Sequence, residues 1–167
     1  MSSERARAAD ARRRVTELVR AARTCVLVTF RLDGRLTGRP MALQGTEFDG
    51  DLWFFSYADS AKVRQIRVNP EVNVAFTDQR SAAWVCASGT AQEAYDPDRA
   101  RRLWTAPLRT WFPDGPDTPG LTLLRVHVSS VAFWAAPDGP RVDLLDPDAA
   151  PVLQRRPRPG ENREVEF

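Results

Sequence analysis

Histidine occurs once in this chain, at His127, lysine once, at Lys62, and cysteine twice, at Cys25 and Cys86. One imidazole and two isolated thiols, each set in an apolar run, leave no cluster of nitrogen and sulfur ligands for zinc. There is no nucleophile elbow and no glycine-rich loop ahead of a helix, so serine-histidine-aspartate hydrolysis and phosphate cradling of the P-loop kind are not indicated. Long hydrophobic runs are missing too. The apolar stretches break within about eight residues, short of the ~20 that cross a bilayer, and the Arg-rich N-terminal segment has no apolar signal region. These absences lead to the expectation of a cytoplasmic protein with reduced thiols, no metal and no membrane partner.

What is present is the composition of a globular domain: 167 residues, 43% hydrophobic and 28% charged. At that length a single domain buries roughly 70% of its unfolded surface and needs no disulfide or metal to hold it. The net charge of +2 comes from an Arg-rich start, since the body between residues 25 and 136 balances its bases and acids. A balanced body lacks the basic excess of a nucleic-acid binder, and no nucleic-acid partner is expected. Lys62 is the single lysine among 24 basic residues, so this position has a requirement the arginine positions do not share.

Ala8, Ala11, Val15, Leu18, Val19 and Ala22 recur at three and four, the stripe of an amphipathic leading helix over residues 5–23. Residues 24–31 and 35–43 flank Asp33-Gly34 as a hairpin, and Asp49-Gly50 precedes an aromatic strand over 52–57. Asp59 or Ser60 caps a short helix that Asn69-Pro70 ends. Strands follow at 72–77 and 83–91, then a helix from Asp96-Pro97 through Trp111 that Pro107 kinks or divides, then two strands at 121–128 and 131–135. Six to seven antiparallel strands with flanking helices predict a mainly β protein, a small split β-barrel, over residues 1–136. Residues 137–167, rich in proline, arginine and acids, read as a flexible tail.

The chemistry concentrates where the aromatic strand feeds the short helix, in Phe55-Ser56-Tyr57-Ala58-Asp59-Ser60-Ala61-Lys62. Free N–H groups and the dipole of a helix start favour an anion, Ser60 can donate from its hydroxyl, and Lys62 adds a point charge. The same spacing also belongs to an ordinary capped surface helix.

Taken with RPMAL at 39–43, GDLWFFS at 50–56, SAKVRQI at 60–66, NPEVNVAF at 69–76, SGTA at 88–91 and WFPDGP at 111–116, the run resembles the pyridoxamine phosphate oxidase-like split barrels, in particular their general stress protein group. The resemblance implies a homodimer holding FMN in clefts between subunits and exchanging electrons with a small-molecule donor or acceptor. It implies that Arg39 reaches the flavin phosphate or ribityl chain, that Pro40, Met41 and Ala42 line the ring, that Phe55 and Ser56 form the family's aromatic-hydroxyl pair, and that Ser60 and Lys62 grip the phosphate. Trp84 stands where the oxidases carry a flavin-contacting glutamine. The chain has none of the oxidases' terminal Arg/His segment, so pyridoxamine phosphate oxidation itself is not expected. Relatives of this scaffold also take deazaflavin or haem, and the alternative to an oxidoreductase is a non-catalytic flavin-binding, sensing or stress-protective protein. Trp104 and Trp111 fit either the helix core or the flavin edge, and no residue stands out as a catalytic acid or base.

Overall fold

The computed structural model describes residues 13, 15–45, 48–78, 83–135 and 162–166. The leading helix α1, residues 15–21, turns Val15, Leu18 and Val19 into the core. Strands β1 (Thr24–Phe30) and β2 (Leu36–Ala42) form the expected hairpin, and Gly34 takes a positive φ of 81° in its turn. Next come β3 (Asp51–Tyr57), α2 (Ala61–Val68), β4 (Glu71–Asp78), β5 (Ala83–Glu93), α3 (Pro97–Leu103), 3-10 turns at Ala106–Thr110 and Gly115–Asp117, and β6 (Leu121–Ala135). A short β7 (Asn162–Glu166) closes the order.

All pairings are antiparallel, in the order β2-β1-β4-β5-β6-β3 with β7 also on β6. Six strands curl into a half-barrel, the split-barrel arrangement. Its two end strands touch just beyond β2, where Gln44 pairs with Trp53 and the Gln44 N–H donates to the Trp53 carbonyl at 3.1 Å.

β3 shows why the fold needs an unbroken apolar strand. Leu52 and Phe54 face the barrel core with Leu27, Val74 and Val126, whereas Trp53 and Phe55 face a second cluster built by α3 and the 3-10 turns. Both faces of the strand are buried, so polar alternation is lost there. Asp96 caps α3 by accepting from the Asp98 and Arg99 N–H groups at 2.9 and 3.2 Å, with Pro97 in the first turn.

Three expectations are corrected. Residues 121–135 form one strand rather than two: Ser88 pairs with Ser130 and Gly89 with Val128, so Ser129 is an inserted residue in a bulge, not a turn. The helix expected to run from Asp96 through Trp111 ends at Leu103; Trp104 and Thr105 are extended, and Trp111 is 71% exposed instead of in a helix core. The segment taken as a flexible tail contributes β7 at Asn162–Glu166, whose backbone pairs with Ser130–Trp134 and covers β6 where β3 has ended. Residues 136–161, like the start of the leading helix and residues 79–82 of the turn expected at Asp78–Ser81, lie outside the described residues.

No helix among the described residues is long and apolar enough to cross a membrane, and no metal-binding cluster occurs among them. Cys25 is buried on β1, its thiol donating to the Met41 carbonyl at 3.6 Å, and burial pushes its pKa up from 9.0 to about 12. A raised folded value favours the native state in full below pH 9, and that contribution is lost as pH climbs towards 12. Melting temperatures stepped through this range should therefore fall, and Cys25→Ala should flatten the slope; an unchanged slope in the variant would assign the loss to other groups.

Candidate functional site

β2 is a half-buried edge whose odd positions, Thr37, Arg39 and Met41, turn inward while Pro40 and Ala42 stay exposed on the other side. Arg39 pairs across to Leu27 on β1, at the rim of the barrel core. Its guanidinium Nη1 donates to the Leu27 carbonyl at 3.2 Å and to the Thr29 hydroxyl at 2.7 Å, and Nη2 donates to Gln65 Oε1 at 3.0 Å. Thr29, fully buried, donates in turn to Gln65 Oε1 at 2.7 Å. Gln65 sits on α2, so three elements meet at one arginine.

Lys62 lies three residues before Gln65, on the neighbouring position of the same helical face. Its ammonium donates to Ser56 Oγ at 3.2 Å, and Ser56 and Ser60 share a hydrogen bond at 3.0 Å. Ser56 is buried at the end of β3. Ser60 occupies the N-cap position of α2, yet no side chain caps the first turn. The first-turn N–H groups therefore remain available to a ligand.

The electrostatics are lopsided. Burial holds the Lys62 pKa below its usual 10.5, and the Arg39 charge lowers it further; burial also lowers Arg39. Neither cation forms an ion pair with a carboxylate among the described residues. Two partly buried positive groups held together without a counter-charge destabilise one another until an anion arrives.

Of the residues singled out in the sequence, Arg39, Ser56, Ser60 and Lys62 gather here. Met41 packs against the barrel core beside them. Pro40 and Ala42 face outward. Phe55 is on the other side of β3 from Ser56, with its ring 5.5 Å from Trp104 in a T-shaped pair and 6.2 Å from Phe112. Trp84 is half-buried on the outer face of β5, paired in register with Thr77 and Trp134. His127 is exposed on β6, its Nδ1 2.9 Å from Asp51 Oδ1, and takes no part in the cluster. Thr29 and Gln65 went unnoticed in the sequence. The spacing from Lys62 was the available signal for Gln65, and alternation with Leu27 was the signal for Thr29.

A family model described as pyridoxamine 5'-phosphate oxidase like matches residues 10–157. Protein bli-3 of Neurospora crassa is 32% identical over 109 residues, 60% of this chain and 52% of that protein, so the chain spans about half the length of that relative. Among solved structures, the general stress protein 26 of Jannaschia sp. CCS1 aligns over 95% of this chain and 99% of its own, with a TM-score of 0.70 and 21% identity, a likeness of fold. A general stress family protein of Xanthomonas campestris pv. campestris shares 28% identity at a TM-score of 0.64, covering 76% and 88% of the two chains. The general stress FMN/FAD binding protein of Xanthomonas citri shares 25% at 0.62, covering 75% and 89%.

Proposed function

Since the chain belongs to the pyridoxamine 5'-phosphate oxidase-like family, we propose that it binds FMN, with the flavin phosphate held between Arg39 and Lys62, and that it serves as a flavin-dependent oxidoreductase of the general stress protein type. The observation that carries this reading is the pair of half-buried cations, neither paired with a carboxylate among the described residues, set beside the uncapped start of α2. Such a donor set matches a phosphomonoester: Ser60 and the helix N–H groups supply neutral donors, while the two cations supply charge. The flavin would supply hydride or electron transfer, and the protein its placement and electrostatics. Among the described residues no carboxylate or imidazole pairs with Arg39 or Lys62. Met41 would approach the ring from β2, with Pro40 and Ala42 offering main-chain contacts.

The visible spectrum and mass of the copurifying ligand test the cofactor directly; a haem Soret band or a deazaflavin mass would overturn FMN. Mixing the holoprotein anaerobically with NADH or NADPH then separates the two roles. Bleaching supports a reductase. Flavin that stays oxidised against both, and against small-molecule donors, supports a storage or sensing protein instead.

A homodimer is part of the same proposal. The outer face of the β1-β2 hairpin shows Val26 at 44% exposure and Leu36 at 65%, beside exposed Pro40 and Ala42. An apolar sheet face next to the site is suited to a second copy that would complete the cleft. Sedimentation should give twice the chain mass. A monomer that binds FMN tightly would defeat the shared cleft.

A further inference from the structure

We propose that Gln65 is the positioning and specificity residue of this anion site, a neutral carboxamide that aims Arg39 at a phosphate without quenching its charge. The inference rests on the phosphate-site reading above and concerns how selectivity for the charged ligand is built. Arginine offers five N–H donors in a planar fork. The Leu27 carbonyl and the Thr29 hydroxyl take both hydrogens of Nη1, and Gln65 takes one from Nη2. Thr29 Oγ1 and Gln65 Oε1 lie 2.7 Å apart and accept side by side from the two Nη atoms. They stand where the two oxygens of a carboxylate would stand in an end-on ion pair.

Among the described residues, the donors left over are Nε–H and the second Nη2–H, which share one edge of the guanidinium. That edge is the bidentate fork that a phosphate accepts. An Arg–carboxylate pair in the same place would fix the same orientation but would cancel the charge, leaving only Lys62 to attract the ligand. The amide at position 65 therefore separates two tasks that a carboxylate would merge: it orients the fork and preserves the field. Thr29 assists from β1 and, being fully buried, has little freedom to turn away.

Gln65→Glu and Gln65→Met, made in the full chain, test this with FMN and riboflavin as probes and the melting temperature of the apoprotein as the structural control. Gln65→Glu keeps shape and acceptor but adds the charge. It should weaken FMN binding about tenfold or more, leave riboflavin within about twofold, and leave the apoprotein melting temperature unchanged or higher, because Arg39 gains an ion partner. Gln65→Met keeps neutrality and loses the acceptor, so FMN should weaken by a smaller factor with riboflavin again unaffected. Wild-type FMN affinity in Gln65→Glu would overturn the inference. So would an equal loss for both flavins together with a lower melting temperature, which would mark a merely structural residue. A wild-type protein that does not distinguish FMN from riboflavin would instead overturn the phosphate-site reading beneath it.

Discussion

Lys62→Met is expected to weaken FMN binding about tenfold to hundredfold while leaving riboflavin affinity nearly unchanged. Methionine keeps most of the aliphatic stem that is half-buried at the start of α2, but it removes the ammonium that now donates to Ser56 at 3.2 Å. A hydrogen bond to a charged partner contributes about 1.5–3 kcal/mol, and each 1.4 kcal/mol is tenfold in a dissociation constant. The change also relieves the repulsion between Lys62 and Arg39 in the apoprotein, so the variant without ligand should melt no lower than wild type. That combination, lower FMN affinity with undiminished apoprotein stability, is the signature of a charge placed for a ligand. Lys62→Arg probes shape rather than charge. A planar fork cannot occupy the place of a compact ammonium beside two serine hydroxyls, so FMN affinity should fall in part even though the charge is kept. Titration calorimetry of both flavins into the apoprotein measures each term; an equal effect on FMN and riboflavin would remove Lys62 from the phosphate site.

The sequence was most informative where one residue type had one physical job. Asp33-Gly34 needed a left-handed glycine, Asn69-Pro70 had to end a helix, and the isolated lysine behind a strand-to-helix turn does come to lie beside Ser56, Ser60 and Arg39. It was least informative where the answer depended on which face of a strand a side chain takes. In Leu52-Trp53-Phe54-Phe55 every position is apolar, so alternation separates Phe55 from Ser56 but could not say which face meets the barrel core and which joins Trp104 and Phe112. Thr29 and Gln65 escaped for a related reason. They are 36 positions apart, and only the curl of the sheet and the seat of α2 bring them to Arg39. The bulge at Ser129 imitated a turn because two serines interrupting an apolar run look alike in either structure. Nothing in the polar composition near Asn162 announced a strand whose partner edge lies some thirty residues earlier.

That bulge makes Gly89 the least tolerant of the described glycines. Where β5 meets β6, the register shift carries the His127 carbonyl over the Gly89 Cα. A methyl group built there would penetrate the His127 carbonyl oxygen and would lie only 2.9 Å from its carbon and 3.0 Å from the Val128 Cα. All three neighbours are backbone in the middle of a paired strand, so no side chain can swing aside. Gly89→Ala is therefore expected to destabilise by about 3 kcal/mol or more, above the usual cost of one added methyl. For a chain of this size that is a fall in melting temperature of roughly 6–12 °C. Gly34→Ala is the contrasting control: its methyl meets nothing within 4 Å and incurs only the strain of a φ of +81°, about 1–2 kcal/mol. Because β6 carries β3, and β3 carries Ser56, whatever fraction of Gly89→Ala folds should bind FMN and riboflavin less well together. A shared loss at Gly89 beside a phosphate-selective loss at Lys62 would separate the scaffold from the site, and a Gly89→Ala protein as stable as wild type would show that β6 can shift its register at the bulge.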